Sequence, residues 1–258
     1  MLMLFSFQPF ISVAQEPDRD LFEHQLFIQN GDTLPCRILS PIHFSTGEKY
    51  PLFIFLHGAG ERGNDNEAQL TWGADLFLDS ANRENYPAIV VFPQCAADSS
   101  WSARVRKKTA DSVGNYRFPM QSEPTRPLEL VMNFIDTLIS SGIVDVKRIY
   151  VGGLSMGGFG TFEILWRRPQ LFAAAIAICG GGNPAGAKIY GKNFPIWVFH
   201  GAEDPVVPVN SSRIMVEALK EAKARVKYTE YPGVQHDSWK NAIAEADLLP
   251  WIFEQKKK

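Results

Sequence analysis

Ile149-Tyr150-Val151-Gly152-Gly153-Leu154-Ser155-Met156-Gly157-Gly158-Phe159-Gly160 is the stretch on which the reading of this chain turns. An apolar strand ends at Val151, a glycine-rich corner follows, and Thr161 to Trp166 reads as a helix. Within it, Gly153-Leu154-Ser155-Met156-Gly157 has the spacing G-x-S-x-G. Glycines two residues either side of Ser155 let strand and helix approach without side chains colliding, so the serine can stand at a sharp corner with its hydroxyl exposed. The helix start then offers backbone N–H groups and positive dipole beside an oxygen that becomes an anion. That makes Ser155 a candidate nucleophile; the competing reading is a purely structural glycine turn.

Outward from this stretch the pattern is regular. Leu21–Gln29 and Leu34–Leu39 read as two strands joined by Asn30-Gly31-Asp32, an antiparallel hairpin. Tyr50–Leu56 is a continuous apolar run, as expected of a central strand covered on both faces. Ala88–Phe92, Phe172–Ile178, Pro195–Phe199 and Val226–Tyr231 read as further strands. Asp65–Ser80, Pro127–Ser141, Ser211–Ala224 and Ser238–Phe253 read as helices. Alternation of strands and helices from residue 50 onward implies βαβ crossovers and a mainly parallel sheet with helices on both faces, an α/β fold. In such sheets reactive groups collect at the carboxyl ends of strands. Four stretches begin there: His57–Gly60, Cys95–Trp101, Ser155 and Asp204.

The 258 residues, 45% hydrophobic, suffice for one large core. A formal net charge of −2 points to neither nucleic acid nor an anionic membrane as partner. Cys36, Cys95 and Cys179 are odd in number and lack metal-ligand spacing, so no metal is expected. Buried thiols are one reading, a Cys36–Cys95 pair the other. Residues 1–14 are apolar and uncharged, with Ser12 and Ala14 placed as a signal peptidase requires. They read as a cleaved secretory leader, with the mature chain starting at Gln15 and the catalytic domain running over 15–258; a buried strand is the alternative. A secreted or periplasmic protein follows, not inserted in a membrane, since the stretch is too short to span a bilayer.

A serine nucleophile needs a base, and the base an orienting acid. Of five histidines, His24 and His43 precede the sheet core, while His57 and His200 each precede a glycine at a strand end, where backbone geometry accounts for them. His236 alone lies in a loop after the last strand, downstream of a plausible acid, in the order Ser, acid, His. Asp204 leads as the acid because it follows a strand by a short turn and Pro205 fixes the chain after it. Glu203 would have to fold back, and Asp237 would have to turn onto its neighbour's ring. The rival role for Asp204 is capping the turn that follows. The N–H of Met156 and one from Ala59, with Gly60 as the alternative, are the expected oxyanion donors.

Taken together, Leu56-His57-Gly58-Ala59-Gly60-Glu61-Arg62-Gly63, Phe92-Pro93-Gln94-Cys95 with Trp101, Gly153-Leu154-Ser155-Met156-Gly157-Gly158, His200-Gly201-Ala202-Glu203-Asp204-Pro205-Val206-Val207-Pro208 and His236-Asp237-Ser238-Trp239 resemble an α/β-hydrolase. Within that superfamily they resemble the esterases grouped with polyhydroxybutyrate depolymerases, feruloyl esterases and prolyl-oligopeptidase-like peptidases. The resemblance implies Ser155, Asp204 and His236 as a triad, no cofactor, and hydrolysis of carboxylic esters through an acyl-enzyme. It points to acetyl or feruloyl esters on plant carbohydrates, so the expected partner is a small-molecule or oligosaccharide ester. A peptidase and an idle hydrolase fold used for binding are the alternatives.

Three further expectations follow. Trp101 either walls the substrate pocket or packs in the core. Glu61 and Arg62 form an ion pair holding the oxyanion loop, and Trp239 wedges the histidine loop. The long segment 96–125 is irregular, and its basic residues Arg104, Arg106, Lys107, Lys108 and Arg117 either form a solvated face or attract an acidic polysaccharide.

Overall fold

The structure, a computed structural model, describes residues 18–106 and 116–258. The leader expected over residues 1–14, and Lys107 and Lys108 of the basic cluster, lie outside the described residues. In chain order the strands are β1 (Glu23–Gln29), β2 (Asp32–Leu39), β3 (Tyr50–Leu56), β4 (Ile89–Pro93), β5 (Val105–Arg106), β6 (Tyr116–Arg117), β7 (Val144–Leu154), β8 (Ala174–Ile178), β9 (Pro195–Gly201) and β10 (Arg225–Tyr231). The helices are α1 (Ala74–Leu78), α2 (Ser80–Asn85), α3 (Arg126–Ser140), α4 (Met156–Arg167), α5 (Pro184–Tyr190), α6 (Asn210–Glu221), α7 (Trp239–Ile243) and α8 (Leu248–Glu254).

Eight strands form one sheet in the order β1-β2-β4-β3-β7-β8-β9-β10. The β1–β2 and β2–β4 pairs are antiparallel, and every pair from β4 to β10 is parallel. Strand periodicity sends alternate residues to opposite faces. From β3, Leu52, Ile54 and Leu56 join a core with α3, α4, α5 and α6. Phe53 and Phe55 point the other way, into a core with Phe77 of α1, Ala242 of α7 and Leu248, Leu249 and Ile252 of α8. The apolar runs of the central strands therefore mark burial on both faces, as expected of a parallel sheet.

Two expected helices are broken. Asp65–Ser80 is interrupted at Gly73, whose φ of +88° is the left-handed region. A short 3-10 turn, Ala68–Leu70, precedes it; α1 follows, and Asp79 accepts from the Asn82 N–H to start α2. Ser238–Phe253 is split into α7 and α8 because Pro250, in a continuous helix, would set its ring against the Ala246 carbonyl and leave an N–H missing. In α8 it falls in the first turn, where both costs vanish. The helix α5 was not expected, although Asn183 followed by Pro184 is an N-terminal signal; the Asn183 side chain accepts from the Ala185 N–H at 2.9 Å.

The segment taken as wholly irregular contains the β5–β6 ribbon. It is anchored by the Ala103 N–H on Glu163 Oε2 at 2.9 Å, while Glu163 also pairs with Arg167. Arg104 does not form a solvated face: its guanidinium lies over the rings of Phe159 and Tyr116, 4.6 and 5.0 Å from their centroids. Cys36, Cys95 and Cys179 are buried free thiols, so the Cys36–Cys95 pairing is not formed. Burial pushes the Cys95 pKa up to about 12, which leaves it an unreactive thiol.

Candidate active site

The elbow is built from β7 and α4. Ser155 sits between them at φ 51°, ψ −112°, a conformation that costs a non-glycine residue about 1–3 kcal/mol. Backbone contacts hold it there: the Ser155 N–H donates to Ile178 O at 2.9 Å, and the Phe159 N–H donates to Ser155 O at 3.0 Å. The flanking glycines have a steric reason. A Cβ on Gly157 would lie 1.8 Å from Leu56 O, and one on Gly153 would lie 2.5 Å from Gly157 O.

The sheet brings three distant side chains into line. Ser155 Oγ is 2.9 Å from His236 Nε2, and His236 Nδ1 is 2.7 Å from Asp204 Oδ2. His236 comes from the loop after β10 and Asp204 from the turn after β9. The two roles weighed for Asp204 are not exclusive, because its two oxygens divide them. Oδ1 accepts the N–H groups of Val206 and Val207, both at 2.8 Å, while Oδ2 faces His236. Burial pushes this carboxyl pKa up, but hydrogen bonds from His200, His236 and the Val207 N–H outweigh it and hold the group well below the usual carboxylate range. Asp204 is therefore an anion in position to orient His236 and stabilise its protonated form. Glu203 is exposed, and Asp237 is paired with Lys240 at 3.0 Å.

Met156 opens α4, where first-turn N–H groups have no partner within the helix. Ala59 opens a 3-10 turn directly after β3. That turn lies against the elbow: a Cβ on Gly58 would be 2.8 Å from Leu154 Cδ1. The turn is not held by a Glu61–Arg62 ion pair. Arg62 instead donates to the carbonyls of Ala59 at 3.0 Å and Ser99 at 3.2 Å.

Trp101 does not wall a pocket. It is fully buried and donates its indole N–H to His57 O at 3.1 Å, with its Cβ pressed under Gly160 of α4. It is a strut beneath the elbow. Trp239 does pack on His236, edge to face at 5.3 Å, and Trp72 lies 5.8 Å beyond it.

His57 is structural, as its position before a glycine suggests. Its Nε2 accepts from the Cys95 N–H at 2.9 Å, so Nδ1 carries the proton and faces Gly58 O at 2.6 Å. Burial pulls its pKa down to about 4, against the smaller upward pull of the Gly58 carbonyl. The unfolded chain takes up a proton here below pH ~6.5, the folded chain only near 4. Stability from this residue is thus complete above about 6.5 and drains as pH falls, by about 3 kcal/mol at pH 4. Urea midpoints measured from pH 7 to pH 4 should fall accordingly, and an NMR titration of the His57 ring with a midpoint near 6.5 would contradict this.

His200 is the residue that sequence reading missed. Fully buried, it stands with Nε2 3.3 Å from Asp204 Oδ2.

Comparison with known proteins finds esterases and a thioesterase. The phospholipase/carboxylesterase family model matches residues 120–247, a span that includes Ser155, Asp204 and His236. A thermostable esterase of known structure is 38% identical, with a TM-score of 0.82, over 93% of this chain and 64% of its own. A bifunctional acetylxylan esterase/xylanase of Neocallimastix patriciarum is 28% identical over 158 residues, 61% of this chain but only 20% of that protein. Acyl-protein thioesterase 1 of Cryptococcus neoformans is 25% identical over 226 residues, 79% of this chain and 92% of its own. The chain has the α/β-hydrolase fold, and the proteins it is similar to are carboxylesterases and thioesterases.

Proposed function

We propose that this protein hydrolyses carboxylic esters through an acyl-enzyme on Ser155. The observation that carries the reading is the unbroken line Ser155 Oγ, His236 Nε2, His236 Nδ1, Asp204 Oδ2, with gaps of 2.9 and 2.7 Å. His236 Nε2 takes the Ser155 proton as Oγ bonds to the ester carbon. The carbonyl oxygen, now an anion, accepts from the Met156 and Ala59 N–H groups. His236 then gives the proton to the alcohol oxygen as the carbon–oxygen bond breaks, and the alcohol leaves. Water repeats the cycle: His236 takes its proton as its oxygen bonds to the acyl carbon, the bond from Ser155 Oγ to that carbon breaks, His236 returns the proton to Oγ, and the carboxylic acid leaves. No metal or organic cofactor is required by these steps.

The substrate in this reading is an acetyl or feruloyl ester on a plant carbohydrate. Support comes from the match to the acetylxylan esterase/xylanase and from the sequence resemblance to feruloyl esterases. Export from the cytoplasm belongs to the same reading and rests on the composition of residues 1–14. One preparation assayed on 4-nitrophenyl acetate, methyl ferulate, acetylated xylan and a peptide amide tests the substrate class. Turnover of the esters with the amide left intact is expected; cleavage of the amide faster than the esters would overturn it in favour of a peptidase.

A further inference from the structure

We propose that His200 is a positioning residue for the triad, holding Asp204 through its ring Nε2–H, with the Val207 carbonyl setting the tautomer. The inference rests on the reading of Asp204 as the orienting acid.

His200 ends β9, four residues before Asp204, with its side chain fully out of solvent. Its Nε2 lies 2.8 Å from Val207 O. A carbonyl only accepts, so Nε2 carries a hydrogen. The same hydrogen faces Asp204 Oδ2, 3.3 Å away. On the other side, Nδ1 lies 2.7 Å from Ser212 Oγ of α6, and that hydroxyl is also 3.0 Å from Gly180 O in the loop after β8. Ser212 is itself fully buried. A continuous line of contacts therefore runs Gly180, Ser212, His200, Asp204, His236, Ser155, buried as far as Asp204.

The line completes the surroundings of one carboxylate. Oδ1 takes two backbone N–H groups, while Oδ2 accepts from His236 Nδ1 and has His200 Nε2 at 3.3 Å. Each donor to a buried anion narrows the positions it can occupy, and hydrogen bonds to charged groups are the stronger kind. His200 ties Oδ2 to the end of β9, which limits how far the oxygen that orients the base can swing. Val207 joins the two halves, since its N–H donates to Oδ1 while its carbonyl accepts from His200.

The test uses two replacements of similar size. Gln at 200 carries an amide N–H where Nε2 stands; Asn reaches only the Nδ1 position, facing Ser212. His200→Asn should lower kcat on 4-nitrophenyl acetate by about 10- to 100-fold with KM unchanged, the loss expected for one hydrogen bond to a charged group. His200→Gln should recover it to within a few-fold. The low-field proton resonance between His236 and Asp204 should be present in wild type and His200→Gln, and shifted or broadened in His200→Asn. Should His200→Asn fail to fold, Ser212→Ala replaces it, with a smaller loss in the same direction. An unchanged kcat and resonance in the disrupting variant, or a loss in His200→Gln equal to that in His200→Asn, would overturn the proposal. If the wild-type protein cleaves no ester, the esterase reading fails, while the resonance comparison still decides the role of His200.

Discussion

Ser155→Ala lowers kcat on an ester substrate by about 10⁶-fold and leaves the fold intact, if this triad behaves as the measured one in another serine hydrolase. Among the described residues the hydroxyl makes one side-chain hydrogen bond, to His236. The bonds that keep the corner, Ser155 N–H to Ile178 O and Phe159 N–H to Ser155 O, belong to the backbone and survive the change. Alanine meets the same positive φ as serine, so the strain is common to both. What is lost is the bond-forming atom, and with it the route that splits one hard step into two. Residual catalysis from the Met156 and Ala59 N–H groups should remain, about 10³- to 10⁴-fold above water. Rates on 4-nitrophenyl acetate, with melting followed by circular dichroism, check both halves. A variant that keeps its rate would leave the hydrolase fold serving only to bind.

Asp204→Asn should cost about 10⁴-fold in kcat, the loss measured when the triad aspartate of a serine protease is made an amide. The reason is visible in the partners of the two oxygens. The position of Oδ1 receives two backbone N–H groups, so the amide oxygen must occupy it. The amide nitrogen then takes the place of Oδ2, opposite His236 Nδ1 and His200 Nε2. Donor meets donor at both contacts. His236 can satisfy the amide only by moving its proton to Nε2, the atom that has to receive the Ser155 proton. The expected result is a folded protein whose activity rises steeply with pH as hydroxide assists. A loss below 10-fold would mean that Asp204 only caps its turn.

The sequence was most informative where one physical requirement dominates. Tyr50–Leu56 was legible to the residue because a fully covered strand tolerates only apolar side chains. The convergence of Ser155, Asp204 and His236 was legible because the G-x-S-x-G corner and the chain order constrain each other. Helix ends were poorly legible where a single residue decides, as Gly73 and Pro250 do. Trp101 shows a different failure. An aromatic residue after a strand says nothing about direction, and only the fold turns this one inward beneath Gly160. His200 was misjudged because a histidine before a strand-end glycine reads the same whether it serves the backbone, as His57 does, or a functional carboxylate. Its spacing of four from Asp204 was the available signal.

Covalent trapping tests the central claim most directly. Trypsin releases Ile149–Arg167, a peptide whose only serine is Ser155. After exposure to a fluorophosphonate, mass spectrometry should find one adduct per chain, on Ser155, with activity lost in proportion and no adduct in Ser155→Ala. An unlabelled Ile149–Arg167 peptide, or equal labelling elsewhere in the chain, would contradict the account.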